Sequence, residues 1–250
     1  MSKYNKENPL RVFEAFAGYG SQSLALNRVK ARDRAKYGYS NGLNPDIEGF
    51  DFKVVGVSEI DPYAIKAYEA IHGECPNYGD ISKINWEEVP DFDLLTYSFP
   101  CTDISNAGQQ KGLEEGSGTR SSLLWECCKA IEAKRPKYLL MENVKALVSQ
   151  KFLPYYKKWE QYLAGLGYDN YCKVINATSC GIPQNRERIF IFSILNNEKA
   201  FHFQEPIPLE TRLKDVLEQD ADDKYVLSNQ AIDGFLEHNK NHEEKGTGFI

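Results

Sequence analysis

The sequence predicts an α/β fold in which helices cover both faces of a mostly parallel sheet, a doubly wound arrangement. Three observations support this fold class. Short β-rich runs alternate with stretches of helical spacing between Val12 and Ile194, as in successive βαβ units. Glycine or proline marks several of the joins between them. At 250 residues and 42% hydrophobic content, the chain is long enough for one large packed domain.

The pattern begins with a strand from Val12 to Phe16, which breaks into a glycine turn. The spacing that follows predicts a helix, with Ser21 as a plausible N-cap. The run "FKVVGVSEID" is a second strand. Pro62 then opens a helix that stops near Gly73.

The second half of the pattern continues the alternation. Asp80, in "YGDIS", would end a third short strand, and "FDLLTYSF" reads as a buried strand. "SSLLWECCKAIEAK" predicts a helix ended by Pro136, and "KYLLMENV" a strand. A helical stretch around residues 151–165 precedes two β-like runs, "DNYCKVINAT" and "RERIFIFSIL". Ligands of such sheets bind beyond the carboxyl ends of the strands. That edge is expected to hold Gly18, Glu59, Asp80, Cys101, Glu142 and the residues after Thr178.

Composition changes after the last strand, so we expect one main domain at residues 1–204 and a different segment at 205–250. From Glu205 to Ile250 there are eleven Asp and Glu against five Lys and Arg. This segment therefore accounts for the whole net charge of −6, and global charge says little about the partner of residues 1–204. The segment predicts two short helical pieces at most, as a linker or the start of a region that is not completed.

Composition also restricts the cellular compartment and the kinds of chemistry expected for the chain. The chain has no run of about 18 apolar residues and no apolar stretch near its N-terminus, so we expect a cytoplasmic protein without a membrane span. Its six cysteines form no C-x-x-C pair and have no metal-ligand spacing, so no metal is expected. In a reducing compartment most of them should be small buried hydrophobic residues.

The residues 16–20, "FAGYG", lie between a strand and a helix and predict a turn that a ligand can approach closely. Alone, a purely structural glycine turn is about as plausible. Ser23 replaces the third glycine of the dinucleotide fingerprint, and no phosphate-binding Gly-Lys-Ser/Thr follows. Glu59 ends the second strand, where an acidic residue takes ribose hydroxyls, and Asp80 could accept from an adenine amino group. An adenosine without a pyrophosphate is indicated, and S-adenosylmethionine fits it.

Cys101 follows Pro100 at the end of a predicted central strand, which suits a nucleophile facing a methyl donor. A free cysteine has a pKa of about 8.5, so such a site must activate its thiol. Glu142 ends the next strand, and "QNRER" supplies Gln184 and two arginines suited to phosphate or to orienting a carboxylate. Singly, these are a buried thiol, a strand end and solvated basic residues. Those ordinary explanations do not account for the order in which these residues occur along one βα framework.

In order, these motifs resemble those of the cytosine-5 DNA methyltransferases of the bacterial and phage restriction-modification type. "FEAFAGYGS" is similar to the donor-binding motif, "SEIDPYA" to the acidic second-strand motif, and "GDI" to the third. "SFPCTDIS" resembles the Pro-Cys nucleophile motif, and "ENV" and "QNRER" resemble the Glu-Asn-Val and Gln-x-Arg-x-Arg motifs. The family usually has Asp-Leu-Phe at Glu14-Ala15-Phe16 and Gly at Ser98. These departures leave the chemistry intact.

The resemblance implies a Rossmann-like sheet of the S-adenosylmethionine-dependent methyltransferase type, with S-adenosylhomocysteine as product. Cys101 would attack carbon 6 of a flipped-out cytosine in double-stranded DNA while Glu142 holds ring nitrogen 3 and the amino group. Gln184, Arg186 and Arg188 would assist. A mobile lid at Thr102–Arg120 would close over the base, with Ser105 and Arg120 contacting phosphate. The donor would be bound by Phe16, Ala17, Gly18, Tyr19, Gly20, Ser21, Glu59, Ile60, Asp80, Ile81 and Pro100.

Alternatives stay open at this point. Family members carry a target-recognition region after the Gln-x-Arg-x-Arg motif, and we expect that region to lie outside this chain. The chain would then be a shortened form or one half of a split enzyme that needs a second chain, and alone it would be a silent or partner-dependent subunit. A nicotinamide oxidoreductase would need the full glycine fingerprint. An RNA methyltransferase of the other cytosine-5 class would need a Thr-Cys dipeptide, which the sequence lacks.

Overall fold

The structure is a computed structural model and describes residues 4–29, 51–101, 120–218 and 222–244. It divides into two compact units, Met1–Leu209 and Glu210–Ile250. The assignment of residues 1–204 and 205–250 as functional domains stays a prediction. The strands are β1 Leu10–Ala15, β2 Phe52–Ser58, β3 Leu94–Tyr97, β4 Tyr138–Val144, β5 Tyr168–Asn176 and β6 Glu187–Leu195. The α-helices are α1 Ser21–Val29, α2 Pro62–His72, α3 Glu126–Lys134, α4 Leu153–Gly165 and α5 Asn229–Glu244.

The six strands form one sheet in the order β2-β1-β3-β4-β6-β5. The pairs β1–β2, β1–β3 and β3–β4 are parallel, whereas β6 is antiparallel to both of its neighbours. The predicted α/β class with a mostly parallel Rossmann-like sheet is confirmed. The reversal of β6 has a local consequence, because its first residues pair with the last residues of β4, with Val144 opposite Arg188.

The main core lies where the central strands meet α3 and α4. All four residues of β3 are buried, as expected for a strand covered on both faces. Leu95 and Leu139 are fully buried on neighbouring strands, and Trp159 of α4 packs edge-on against Tyr97 with ring centroids 6.1 Å apart. Each such side chain contributes about 1.5–3 kcal/mol by leaving water. This packing fixes the carboxyl ends of β3 and β4 side by side.

The ends of α2 confirm the sequence prediction. Pro62 is its first residue, and the Asp61 side chain accepts hydrogen bonds from the amides of Tyr63 and Ala64. At the other end Gly73 has a φ of 85° and donates its amide hydrogen to the Glu69 carbonyl. The N-cap and the left-handed glycine satisfy terminal groups that the helix itself leaves unpaired.

Two predictions about the third short strand and the acidic segment are wrong. The third short strand ending at Asp80 is only an isolated bridge between Val57 and Asn77, because the chain turns at Gly79 with a φ of 69°. Asp80 instead caps a single 3-10 turn. The acidic segment also contains more helix than expected, since α5 has 16 residues in addition to two 3-10 turns. In α5 the large hydrophobic residues Ile232, Phe235 and Leu236 are exposed and have the i, i+3, i+4 spacing of one helix face.

Candidate active site

The turn between β1 and α1 has an unusual backbone. Phe16, Gly18 and Gly20 have φ values of 56°, 57° and 81°. Glycine adopts this left-handed region freely, but Phe16 does so only under constraint. The constraint is visible in the hydrogen bonds, since the amide of Ala17 donates to the Ser58 carbonyl at 3.2 Å and that of Gly20 to the Ala17 carbonyl at 2.9 Å. The turn is therefore held against the end of β2.

The two glycines of the turn face different surroundings. A Cβ atom at Gly20 would lie 2.5 Å from His72 Nε2, so only glycine lets α2 approach there. A Cβ at Gly18 would meet no atom within 4 Å. Gly18 thus borders open space on which a ligand can lie, whereas Gly20 is required by packing.

Glu59 closes the turn from β2. Its Oε2 accepts from the Gly18 amide and its Oε1 from the amides of Ile60 and Asp61, all at 2.8 Å. A carboxylate offers about four lone-pair sites, so one stays available for a ligand hydroxyl. Ile60 and Tyr63, which follow Glu59 closely along the chain, are 72% and 80% exposed. The acceptor therefore has exposed apolar residues near it in sequence.

Asp80 lies at the same edge, but part of its carboxylate is occupied. Its Oδ1 accepts from the Ser82 amide at 3.0 Å and the Ser82 hydroxyl at 2.8 Å, and these hydrogen bonds lower the pKa of Asp80. Its Oδ2 is 3.5 Å from Lys83 Nζ and is the oxygen that can meet an amino group. Ile81, predicted to contact the donor, has its side chain in the core at 3% exposure, so only its backbone can do so.

A buried carboxylate that the sequence analysis did not identify lies beneath the turn. Glu14 is completely buried and accepts from the Ser23 amide at 2.9 Å, the Ser23 hydroxyl at 2.7 Å and the Tyr68 hydroxyl at 2.7 Å. Ser21, predicted as the N-cap of α1, is instead its first residue and donates its hydroxyl to Gln22. Glu14 takes over the capping because it reaches Ser23 from β1. Only its departure from the family's usual Asp could have drawn attention to it.

The turn that carries Cys101 is fixed at two carbonyl groups. Asn143 Nδ2 donates to the Phe99 carbonyl at 3.0 Å, and Ser121 Oγ donates to the Pro100 carbonyl at 2.8 Å. Cys101 itself is partly buried against the main core. Ser121 was not predicted, because an isolated serine gives no sequence signal. The nucleophile candidate is thus attached both to β4 and to the 3-10 turn before α3.

A further contact joins the Cys101 turn to the glycine turn. Gln22 Nε2 donates to Ser98 Oγ at 2.9 Å. Gln22 lies in the first turn of α1, and Ser98 follows β3 where the family usually has glycine. The serine that departs from the family pattern therefore links the two predicted sites.

The structure brings Glu142 and Arg188 together. Arg188 Nε lies 3.1 Å from Glu142 Oε1, and both side chains are about one quarter exposed, at 24% and 27%. The antiparallel register of β4 and β6 creates this contact. Glu142 Oε2 has no hydrogen-bond partner among the described residues, so the pair holds the carboxylate and leaves one oxygen for a ligand.

Arg186 does not join that pair. It borders an open groove of about 770 Å³, and its guanidinium makes no ion pair with any side chain in the described ranges. Across the groove, Lys145 Nζ lies 2.9 Å from both carboxylate oxygens of Glu187. Gln184 also lines the groove. Of the two arginines that the motif predicts, one orients the carboxylate and the other faces solvent.

Several predicted features lie outside the described residues or differ from the prediction. The loop from Thr102 with Ser105, and the side chain of Arg120, lie outside the described residues. The expectation that most cysteines are buried is wrong, since Cys127 alone of the six is fully buried and Cys172 and Cys180 are exposed. Within the described ranges, no three His, Cys, Asp or Glu side chains group as a metal site. No helix among the described residues has the length and apolarity to cross a membrane.

Comparison with known proteins gives consistent matches over nearly the whole chain. The family model for the C-5 cytosine-specific DNA methylase matches residues 10–250. The chain is 40% identical to the type II methyltransferase M2.ScrFI of Lactococcus lactis subsp. cremoris, covering 89% of this chain and 71% of that protein. It is 36% identical to the type II methyltransferase M.NlaX of Neisseria lactamica, covering 80% of this chain but only 63% of the relative.

Solved structures agree on the fold. The Dnmt2 methyltransferase of S. pombe superposes with a TM-score of 0.66 at 20% identity, covering 92% of this chain and 66% of that one. The Entamoeba histolytica methyltransferase EhMeth gives 0.65 at 18%, covering 90% and 64%. The resemblance inferred from six ordered motifs is thus confirmed. The chain belongs to the C-5 cytosine-specific DNA methylase family.

Proposed function

We propose that this chain transfers a methyl group from S-adenosylmethionine to carbon 5 of a flipped-out cytosine in double-stranded DNA, through a covalent Cys101 adduct. The observation that carries the proposal is the Cys101 turn, held by Asn143 and Ser121 beside the Glu142–Arg188 pair. A nucleophile fixed at the end of β3 and a carboxylate near the end of β4 suit carbon 6 and the opposite, nitrogen 3 side of one planar base.

Cys101 acts first in this proposal. Its thiolate adds to carbon 6 of the cytosine, and the electron pair of the carbon 5–carbon 6 bond shifts toward carbon 5, which becomes nucleophilic. When bound, S-adenosylmethionine supplies the methyl group and leaves as S-adenosylhomocysteine. Loss of the carbon 5 proton then restores the double bond and releases the Cys101 thiolate.

Glu142 stabilises the charge that the addition creates in the ring. When Oε2 carries a proton, it can donate a hydrogen bond to ring nitrogen 3, which only accepts, while the carboxyl group accepts from the cytosine amino group. Arg188 holds Oε1, so the carboxyl group is oriented before the base arrives. Preorganised groups of this kind lower the barrier without reorganising during the reaction.

The residues of the glycine turn fit the donor. Gly18 borders open space, Glu59 has an acceptor site left for a ribose hydroxyl, and Asp80 Oδ2 can accept from the adenine amino group. The exposed side chains of Tyr19 and Ile60 offer apolar contact to the adenosine. Pro100 sits next to the nucleophile, where the methyl group must arrive.

Double-stranded DNA is the proposed substrate, and the groove at Arg186 is the described surface best suited to its backbone. A guanidinium without an ion-pair partner among described residues can bind a phosphate in two hydrogen bonds. Lys145 lines the same groove. Ser105 and Arg120 stay predicted phosphate contacts. Flipping the base costs a few kcal/mol, which such backbone contacts offset.

Methyl transfer to DNA tests the proposal directly. The chain is incubated with tritiated S-adenosylmethionine and duplex DNA, and the DNA is digested to nucleosides and separated. Label in 5-methyldeoxycytidine is the expected result. Label in N4-methylcytosine or N6-methyladenine, or in RNA but not in DNA, would contradict it.

Replacing Glu59 with alanine should weaken S-adenosylmethionine binding by about 10- to 100-fold, or about 1.4–2.8 kcal/mol. The change removes both the proposed ribose acceptor and the support of the Gly18 amide. Isothermal calorimetry measures the effect. Glu87→Ala is the control, because it also removes one carboxylate, at an exposed position outside the proposed donor site. An unchanged dissociation constant for Glu59→Ala would exclude Glu59 from the donor site.

A second candidate is a catalytic part that acts only with a polypeptide carrying a target-recognition region. The acidic segment from Glu205 to Ile250 favours it, because its eleven carboxylates against five basic residues repel phosphate. The chain also spans only 63% of the Neisseria relative and 71% of the Lactococcus relative. Nucleic-acid affinity is largely electrostatic, so the net negative charge of this segment should weaken duplex binding.

On this candidate, the 250-residue chain alone should bind duplex DNA weakly, with a dissociation constant on the order of 10⁻⁴–10⁻⁶ M at physiological salt and no sequence preference. Fluorescence anisotropy with duplexes of different sequence measures this. Adding a polypeptide that supplies a recognition region should produce specific methylation. Methylation of one defined sequence by the chain alone, at ordinary enzyme rates, would rule this candidate out.

A further inference from the structure

The glycine turn is supported on two sides, and only one support belongs to the proposed donor site. Glu59 holds Gly18 from the open side. On its inner side lie Glu14, Tyr68 and His72, and the rings of Tyr68 and His72 pack against Gly20. Because Phe16 has a φ of 56°, the turn keeps its shape only while its surroundings impose it.

Glu14 is the centre of the inner support. A fully buried carboxylate is tolerated only when hydrogen bonds replace its water, and here three donors do so. One of these donors is the Ser23 amide, which belongs to the first turn of α1 and has no intrahelical partner. A negative charge at a helix N-terminus is favourable. The Glu14 side chain thus connects β1 to both α1 and α2.

Tyr68 and His72 bring α2 against the turn itself. Tyr68 is buried, and its hydroxyl donates to Glu14 at 2.7 Å. Burial first, and then the Glu14 charge, raise the pKa of Tyr68 well above its ordinary value, so the hydroxyl stays a donor. The two rings pack 4.8 Å apart, and both would contact a Cβ at Gly20.

His72 makes the second direct connection. Its Nε2 lies 3.2 Å from the Tyr19 carbonyl oxygen. A carbonyl only accepts, so Nε2 carries the hydrogen in this contact. Tyr19 lies between Gly18 and Gly20, and His72 therefore fixes the orientation of the peptide that borders the donor space.

We propose that Glu14, Tyr68 and His72 are positioning residues for the methyl donor, which hold the Phe16–Gly20 turn in its binding shape without touching the ligand. The inference rests on the proposed function, because it presumes that S-adenosylmethionine binds at Gly18 and Glu59. It predicts that loss of the inner support weakens donor binding more than it slows the chemical step. A residue that serves general stability alone would not separate these two quantities.

Tyr68→Phe is the sharpest variant, because it deletes one hydroxyl and keeps the ring against Gly20. The dissociation constant of S-adenosylmethionine should rise about tenfold. Turnover at saturating donor should fall less than about threefold. Tyr168→Phe is the matched control, since the buried Tyr168 hydroxyl also donates at 2.7 Å, to the Pro136 carbonyl at the other edge of the sheet. Tyr168→Phe should lower thermal stability by about as much as Tyr68→Phe does, but it should leave the affinity for S-adenosylmethionine unchanged.

A second pair of variants keeps the test valid if Tyr68→Phe folds poorly. His72→Ala should also weaken donor binding, and His72→Gln should restore it in part, because the glutamine amide nitrogen takes the place of Nε2. Calorimetry on the full 250-residue chain gives the constants, and circular dichroism confirms folding.

Three outcomes decide the matter. Selective loss of donor affinity in Tyr68→Phe or in His72→Ala, with rescue by His72→Gln, supports the inference. Affinities within twofold of wild type, or an equal loss in Tyr168→Phe, overturn the inference while the proposed function stands. If the wild-type chain binds no S-adenosylmethionine, the donor site is wrong and both fall.

Discussion

Replacing Cys101 with serine should abolish methyl transfer to DNA, with a loss on the order of a thousandfold or more. A serine hydroxyl does not ionise near neutral pH and cannot add to carbon 6 as a thiolate does. The fold and donor binding should be preserved, because the hydrogen bonds that fix this turn are made by the backbone of Phe99 and Pro100. Tritium transfer measures activity, and calorimetry measures donor affinity.

The adduct gives a second, independent readout of Cys101. DNA containing 5-fluorocytosine cannot lose a proton at carbon 5, so the protein should stay covalently attached, and peptide mapping should find the base on Cys101. Cys180→Ser is the control, since it removes an exposed cysteine and should change nothing. Burial, and then the Glu14 charge, raise the pKa of Cys75 to about 11, and burial raises that of Cys127 well above normal, so both should stay unreactive thiols. Trapping at any cysteine other than Cys101 would refute the assignment.

Replacing Arg188 with alanine should lower turnover by about 100-fold while donor affinity changes little. Glu142 would keep its carboxyl group but lose the cation that orients it at 3.1 Å. The remaining charge is only partly exposed, so its position would depend on water instead of on β6. Single-turnover kinetics at saturating donor and DNA isolate the chemical step.

A matched control exists at the other edge of the sheet. Arg11 Nε lies 3.0 Å from Asp93 Oδ2, which reproduces the type of ion pair, and Arg11→Ala should leave turnover within about twofold of wild type. Arg188→Lys should recover only part of the loss, because a lysine has no Nε–H in that position. If Arg188→Ala retained wild-type turnover, the Glu142–Arg188 pair would be structural and not part of the mechanism.

Much of the fold follows from the local hydrophobic pattern and from the glycine and proline residues at the ends of its elements. The bounds of α2 follow from Pro62 and Gly73, and the strand before Cys101 from an uninterrupted apolar run. The direction of β6 is a different matter, because "RERIFIFSIL" reads as a strand whichever way it runs. The connection of residues 177–186 after β5 is too short for a crossover helix, which indicates that β5 and β6 form an antiparallel pair. The pairing of β6 with β4, in contrast, depends on tertiary packing and has no local signal in the sequence.

The candidate site was predictable where a motif names its residue, and not where a contact depends on another element. Cys101, Glu142 and Glu59 lie at the edge that the strand order predicts. The role of Glu14 depends on Ser23 and on Tyr68, which is 54 residues away along the chain. Asp80 looked like a strand end because Gly79 gives no local sign of its left-handed turn.

The reversed direction of β6 also decides where this protein can be extended. Because β6 starts at the edge where the parallel strands β1, β3 and β4 end, the glycine turn, the Cys101 turn and the Gln184–Arg188 segment all share one edge. The other edge is made of tight joins, such as Gly167, whose carbonyl accepts from the Asn196 amide at 2.9 Å. A fluorescent reporter inserted at the join after β6 would therefore emerge at the edge of the sheet opposite the proposed catalytic residues.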